Sequence, residues 1–379
     1  MRIIQATSYF PPHIGGIENH VKELSLSLAD KGHDVLVLTT NIPRTKKCEQ
    51  MGNITVHRFP AINIPYVPIV PNLKKILKRY DADIFHSHCP PPFFSCSMPD
   101  GHHIVTYHCD IELPASFSGF CIPNSLRKVV EKKYNEIFVP KIIENCDKVI
   151  CTGKSYVESS PVLGELKKSD YEVIPNAINI NNFRNIRNKQ RNDGDFIILF
   201  VGRLAASKGV DYLIRCVPSI SSEFDANAKF VIIGEGEEKK ELVRLTKKLG
   251  VDKNVFFKGY VPFDQLLHWY SNAIVTVLPS ISRLEAFGIV QLESMACETP
   301  VIASKLPGVK EIVEDGITGF LVEPGNTEEL ADAIIRILSD REKAQRMGKE
   351  GRKVVERKYT WDVVTDKIIA LYKKTSSES

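Results

Sequence analysis

The chain has no uninterrupted apolar run of about 18 residues, so no segment is expected to cross a bilayer as a helix. Its start, Met1-Arg2-Ile3-Ile4-Gln5-Ala6-Thr7, reads as a β-strand and lacks the regions of a signal peptide. The nine cysteines are odd in number, scattered and without a Cys-x-x-Cys. A chain of this length needs no disulfide staples, and reduced thiols in a cytoplasmic setting are expected. Charge of one sign is scarce too: 50 basic against 46 acidic residues leave +4. With no dense Lys/Arg stripe, nucleic acid is not an expected partner.

What is present is an ordinary globular balance, 43% hydrophobic and 25% charged over 379 residues. That length suits two domains with cores large enough to stand without metals. Strand-like runs at Arg2–Thr7, Asp34–Thr39, Ile54–Arg58, Ile84–Ser87, Ile104–Tyr107, Lys148–Cys151 and Tyr171–Ile174 alternate with helical periodicity, as in Gly16–Lys31. Such alternation predicts a parallel sheet with helices on both faces. The polar stretch Asn179–Asp195 reads as a linker, after which the alternation repeats. New strands are expected at Phe196–Val201, Lys229–Ile233, Val255–Gly259, Ile274–Leu278, Val301–Ser304 and Gly319–Val322. The expectation is an α/β protein with one Rossmann-like domain over 1–180 and a second over 192–359, and clefts at domain interfaces are favoured ligand sites. Thr360–Lys373 reads as a capped amphipathic helix.

The most telling segment is Glu285-Ala286-Phe287-Gly288-Ile289-Val290-Gln291-Leu292-Glu293, behind the strand-like Ile274–Leu278. One acid falls in a polar loop and the other about two turns into an apolar helix, where a carboxylate is costly unless it has a partner or a task. An open α/β sheet binds ligands at this kind of place, beyond the carboxyl end of a strand. Phe287-Gly288 permits a tight turn into the helix, with free N–H groups for a phosphate. Four other places stand out. Gly15-Gly16, after Tyr9–Ile14, opens a helix; it is a tight turn or an anion approach. Val105-Thr106-Tyr107-His108-Cys109-Asp110 ends a strand in a histidine, most often a structural hydrogen bonder. Gly202-Arg203…Lys208 spaces two cations between strand and helix; they are solvated charges or a phosphate grip. Ile233-Gly234-Glu235-Gly236-Glu237 is a glycine turn, but the third glycine of a dinucleotide fingerprint is replaced by Lys239, which argues against a dehydrogenase.

Together and in this order, these motifs resemble the paired-glutamate glycosyltransferases of family GT4, along nearly the whole chain. The resemblance implies the GT-B fold: two Rossmann-like domains facing each other across a cleft, with the C-terminal helix (360–379) returning to the first domain. It implies a retaining transferase that moves a hexosyl group from a UDP- or GDP-linked sugar to a saccharide, lipid-linked or small-molecule acceptor. Alternatives of the same fold are a nucleotide-sugar 2-epimerase and a non-catalytic nucleotide-sugar-binding protein. Carried over by motif, His108, Glu285, Arg203 and Lys208 would be catalytic. Gly15, Gly16, Gly202, Arg203, Lys208, Gly234, Tyr260, Val261, Glu285, Ala286, Phe287, Gly288, Ile289 and Glu293 would bind the donor, with Glu293 on the ribose. His13 and Asp110 are weaker acceptor candidates. Pro175-Asn176-Ala177-Ile178-Asn179 matches the family's interdomain segment, where a glycine more often fills position 177.

No cofactor or metal is expected. Asp81-Ala82-Asp83 spells a magnesium motif but precedes its strand, at the wrong end of a sheet. His86, His88, Cys89, Cys96, His102, His103, His108 and Cys109 crowd one region without convincing zinc spacing. The proline-broken Ala61–Pro71 and the basic Leu73–Tyr80, with Lys74, Lys75 and Lys78, suggest peripheral contact at a cytoplasmic membrane face; a packed loop and a solvated helix explain them equally well.

Overall fold

The computed structural model describes all residues except 14, 44, 65–66, 112–115, 118–119, 122, 185–195, 225–226 and 378–379. The chain divides into two compact units, Met1–Asn176 with Trp361–Ser379, and Ala177–Thr360. The crossover at Asn176 precedes the polar stretch assigned as a linker, most of which lies outside the described residues.

The first unit begins with β1 (Arg2–Ala6), α1 (Gly16–Asp30), β2 (Asp34–Thr40), β3 (Cys48–Met51) and β4 (Ile54–Phe59). A small hairpin, β5 (Ile62–Ile64) and β6 (Val67–Ile69), leads to α2 (Leu73–Leu77), β7 (Ile84–Cys89) and β8 (His103–Tyr107). Then come the hairpin β9 (Ser116–Phe117) and β10 (Phe120–Cys121), α3 (Asn124–Glu144), β11 (Lys148–Cys151), α4 (Lys154–Ser159) and β12 (Tyr171–Val173). The main sheet runs β12-β11-β8-β7-β1-β2-β4-β3. It is parallel except where β3 pairs antiparallel with β4. The strand β3 carries no period-2 apolar signal, because as an edge strand it buries neither face fully, and sequence reading assigned nothing there. The central strands, by contrast, are near-continuous apolar runs covered on both sides: Ile3, Ile4, Val37 and Leu38 are all inaccessible.

The second unit holds β13 (Phe196–Val201), α5 (Val210–Phe224), β14 (Ala228–Ile233), α6 (Lys239–Leu249), β15 (Val255–Gly259), α7 (Phe263–Asn272) and β16 (Val275–Leu278). It continues with α8 (Ile289–Ala296), β17 (Val301–Ser304), β18 (Gly319–Val322), α9 (Thr327–Leu338) and α10 (Arg341–Lys358). Its six strands run β15-β14-β13-β16-β17-β18, all parallel. Numbered along the chain this is the order 3-2-1-4-5-6 of a dinucleotide-binding sheet, and the order reverses between β13 and β16. Leu213, Val217, Ile334 and Ile337 fill one face of the sheet. Tyr270, Leu292, Met295 and Val355 fill the other.

The last helix, α11 (Trp361–Ser377), belongs to the first unit, as the resemblance implied. It packs along α1, with Thr365 donating to Ser27 at 2.8 Å and Lys31 paired to Asp366 at 2.7 Å. Near its end Tyr372 is fully buried: its hydroxyl accepts from Gln5 Nε2 at 3.2 Å and lies 2.6 Å from His86 Nδ1. Phenylalanine there would leave buried Gln5 and His86 groups unsatisfied. Tyr372→Phe is expected to lower stability by about 1–3 kcal/mol, read as a lower urea midpoint at unchanged m-value.

Candidate active site

The strongest constellation is in the second unit, where its strand order reverses. The loop after β13 carries Gly202, Arg203 and Lys208; the loop after β16 carries Ser280 and Glu285 and ends in α8. Backbone hydrogen bonds stitch these loops together: Ile281 N donates to Ser207 O at 2.9 Å, and Leu204 N to Glu235 O at 2.9 Å. Gly234 needs its special backbone, φ +132°, because a Cβ would lie 1.9 Å from Gly202 O. That contact lets the ends of β13 and β14 close on each other. Gly288, at φ +77°, takes the left-handed turn that starts α8.

Each cation is held by a carboxylate. Lys208 Nζ donates to Glu285 Oε2 at 2.5 Å, and Ser280 Oγ donates to the same oxygen at 2.9 Å. Glu285 is buried and Lys208 partly so. Arg203 Nε and Nη2 reach Glu237 Oε2 at 3.2 and 3.1 Å in a more exposed pair. A partly buried lysine beside a carboxylate and the uncapped start of a helix form a compact donor array. Ala286 and Phe287 bury their side chains, Phe287 against Tyr359 at 6.2 Å, so only their backbone is available to a ligand. Ile289 and Val261 pack partly on the same core. Tyr260, at the end of edge strand β15, is 72% exposed.

Glu293 is the fifth residue of α8, about one turn in rather than the two expected, because the left-handed Gly288 delays the start of the helix. Tyr270 OH donates to its Oε2 at 2.7 Å. Burial outweighs that bond and pushes the Glu293 carboxyl up to about 7.

In the first unit, Gly15 and Gly16 begin α1. The Glu18 carboxylate folds back over Gly15, so close that a Cβ there would lie 2.1 Å from Oε2. It also meets His13 Nδ1 at 2.8 Å, while His13 stacks on Tyr9 at 4.4 Å. This helix start already carries its compensating negative charge. Asp110 accepts from Tyr107 OH and from Ser160 Oγ, each at 3.1 Å, which ties its carboxylate into the fold.

His108 follows β8, and His88 is the last residue but one of β7 beside it. His88 Nδ1 lies 3.1 Å from His108 Nε2, and His88 Nε2 lies 2.8 Å from Gln5 Oε1. His20 of α1 abuts His108 edge to face at 4.8 Å and Trp361 at 5.2 Å. Burial holds His86, His88 and His108 well below 6.5, and His20 at about 4. His108 is therefore neutral and offers hydrogen bonds rather than charge. His20, His88 and His108 bring one ring nitrogen each within 4.8 Å of one another, and they are the one such group among the described residues. The His88–His108 contact is satisfied by a shared proton, and His86 and His103 spend both ring nitrogens on other protein groups. Asp83 accepts from Arg2 N at 2.8 Å, at the amino end of the sheet. Gln5, His20, Glu237 and Tyr270 were not found from sequence; each gains its role from a neighbour remote along the chain, and only His20, on the buried face of α1, left a trace as a polar residue among apolar ones.

Comparison with known proteins gives the family. The model for glycosyl transferases group 1 matches residues 182–354. The Glycosyltransferase Family 4 model matches 14–182. An uncharacterized glycosyltransferase of Methanocaldococcus jannaschii is 32% identical, with 98% of each chain covered. The chain belongs to the group 1, GT4-type glycosyltransferases. The gpi3 subunit of phosphatidylinositol N-acetylglucosaminyltransferase from Schizosaccharomyces pombe is 26% identical over 98% of this chain and 80% of that protein. Among solved structures, sucrose-phosphate synthase from Thermosynechococcus elongatus superposes with a TM-score of 0.80 at 24% identity over the whole of both chains. Anabaena HepE in complex with UDP gives 0.77 at 20% identity, covering 99% of this chain and 100% of that one. The fold of this glycosyltransferase is GT-B.

Glu293 supplies a pH test. Its folded value of about 7 lies above the ordinary 4.5, so ionisation is disfavoured in the folded protein. Stability contributed by the protonated form is lost as pH rises between those values, and Glu293→Gln should raise Tm at pH 8. If the carboxylate accepts from a ligand hydroxyl, nucleotide-sugar affinity should fall up to about tenfold per pH unit below about 7 and level off above it. Titration calorimetry should find that slope abolished in Glu293→Gln.

Proposed function

We propose that this glycosyltransferase is a retaining hexosyltransferase that takes its sugar from a nucleoside diphosphate and needs no metal. The observation that carries the reading is Lys208 and Arg203, each paired to a glutamate, beside the open start of α8 where the sheet order reverses. A diphosphate is the ligand whose charge matches that array. Its oxygens would take the donors now given to Glu285 and Glu237, and Glu293 would hold the ribose hydroxyls.

The chemistry follows from the leaving group. As the bond between the anomeric carbon and the phosphate oxygen breaks, charge gathers on the β-phosphate. Fixed cations and helix N–H groups stabilise that charge more than they stabilise the ground state. The acceptor hydroxyl then bonds to the anomeric carbon on the face the phosphate leaves, and its proton passes to a phosphate oxygen, which retains configuration. Glu285, freed from Lys208, contacts the donor sugar, and neutral His108, whose Nε2–H is given to His88, accepts a hydrogen bond from a sugar hydroxyl at Nδ1. The two glutamates are not the nucleophile and acid of a glycosidase, because one holds ribose. Exclusion of water during this step limits donor hydrolysis. The acceptor is a saccharide or a lipid-linked group; the fission-yeast relative, by its name, acts on phosphatidylinositol, which supports the second.

A thermal-shift screen of UDP- and GDP-linked hexoses tests this, since a true donor binds only the folded state and raises Tm. Removing one charge-assisted phosphate contact costs about 1.5–3 kcal/mol. Lys208→Ala and Arg203→Ala should therefore each weaken the nucleotide sugar by roughly 10- to 100-fold, and chelator should leave the wild-type shift unchanged. His108→Ala should spare nucleotide binding and cut turnover. No shift with any nucleotide sugar, or full binding by Lys208→Ala, would refute the reading. Conversion of the sugar without an acceptor would indicate an epimerase.

A further inference from the structure

One surface of the first unit has no place in the transfer chemistry. Helix α3 buries Val139 and Ile142 against the unit and rests Phe138 on Phe93 at 5.9 Å. Its opposite face is apolar as well. Leu126, Val129, Val130 and Ile137 are 54, 53, 44 and 47% exposed. At 100° per residue, Leu126, Val130 and Ile137 fall within about 40° of one another, with Val129 about 60° aside. A helix needs one apolar face for its own fold, so a second one turned to solvent calls for an occupant.

We propose that the outer face of α3 docks on an anionic lipid bilayer. Charge selects that occupant. Lys133 lies within the apolar row and Lys141 beside it, and both are exposed; Lys128 and Lys132 fall on the opposite side of the helix and take no part. Lysine is depleted at protein–protein interfaces, where aromatic residues and arginine are enriched, whereas aliphatic side chains among lysines suit an interfacial helix on anionic headgroups. The acids do not cancel this. Of its three acids, Glu131 falls about 120° from the centre of the row, Glu136 is paired to Lys132 at 3.6 Å, and Glu144 closes the helix.

The basic surface continues beyond α3. Both α3 and α2 pack on the short turn Ser95–Ser97, and α2 exposes Lys74 and Lys75, with Lys78 and Arg79 just after it. Leu73 and Leu77 are buried, so this segment offers charge and no apolar face. The membrane contact expected from sequence at Leu73–Tyr80 is thereby moved: its apolar part is on α3, and α2 supplies only attraction.

Vesicle flotation of the full chain tests the proposal, with no donor present, so its outcome is independent of the transferase reading. The protein should float with phosphatidylcholine vesicles containing about a third phosphatidylserine and stay behind with pure phosphatidylcholine. Leu126→Ser/Val130→Ser/Ile137→Ser, which changes no charge, should lower the bound fraction at least about fivefold, as should Lys133→Glu/Lys141→Glu. Lys247→Ser/Lys248→Ser on α6 of the second unit should bind as wild type. An unchanged melting curve for the serine variant shows that it is folded. Failure of the wild type to float, or undiminished binding by the folded serine variant, overturns the proposal. A dimer that the serine variant abolishes, without flotation, assigns the face to a second copy instead.

Discussion

The proposed diphosphate site depends on one constraint, that its clustered cations must be balanced within the fold. Concentrating a lysine, an arginine and a helix start at one sheet edge raises a local positive potential, and this protein answers it with glutamates. Glu285 lies on Lys208 with Ser280 behind it, and Glu237 lies on Arg203. The same acids keep the cations placed, and the exposed Arg203–Glu237 pair does so at modest cost because surface ion pairs are weak. Charges and backbone are thus held in place, as the proposed electrostatic stabilisation of a leaving phosphate would require. Everything else in the second unit serves that edge: the strand order that opens it, Gly234 that lets two strand ends close, and Gly288 that aims α8.

The first unit follows a different principle. Its centre holds imidazoles rather than charges, with His20, His86, His88 and His108 buried and neutral among Gln5, Thr106 and Tyr372. A neutral imidazole can be packed deep without the cost of a buried ion, and in His86 and His88 both ring nitrogens meet fixed partners. The C-terminal helix is part of this centre through Tyr372 and Trp361, so the last residues of the chain help to define the surroundings of His108. Histidines that look like metal ligands in a one-dimensional list are, in space, mostly engaged by protein groups.

Much of the architecture was legible in the sequence because parallel strands buried on both faces write themselves as uninterrupted apolar runs. Lys148–Cys151, Phe196–Val201, Val255–Gly259, Val301–Ser304 and Gly319–Val322 keep the bounds read from sequence. The edge strand β3, half-exposed, left no such trace, and the depth of Glu293 in its helix was misjudged because the left-handed turn at Gly288 shortens the helix. Motif residues such as Arg203, Lys208 and Glu285 were visible by type and spacing. Their partners Glu237, Ser280 and Tyr270 became meaningful only in three dimensions, as did Glu18, whose carboxylate lies over Gly15.

A crystal structure with the cognate nucleotide sugar tests the central claim most directly. The account predicts diphosphate oxygens within hydrogen-bond distance of Lys208 Nζ, the Arg203 guanidinium and the first N–H groups of α8, with Glu285 released from Lys208. A diphosphate bound elsewhere, with both glutamate pairs intact, would contradict it.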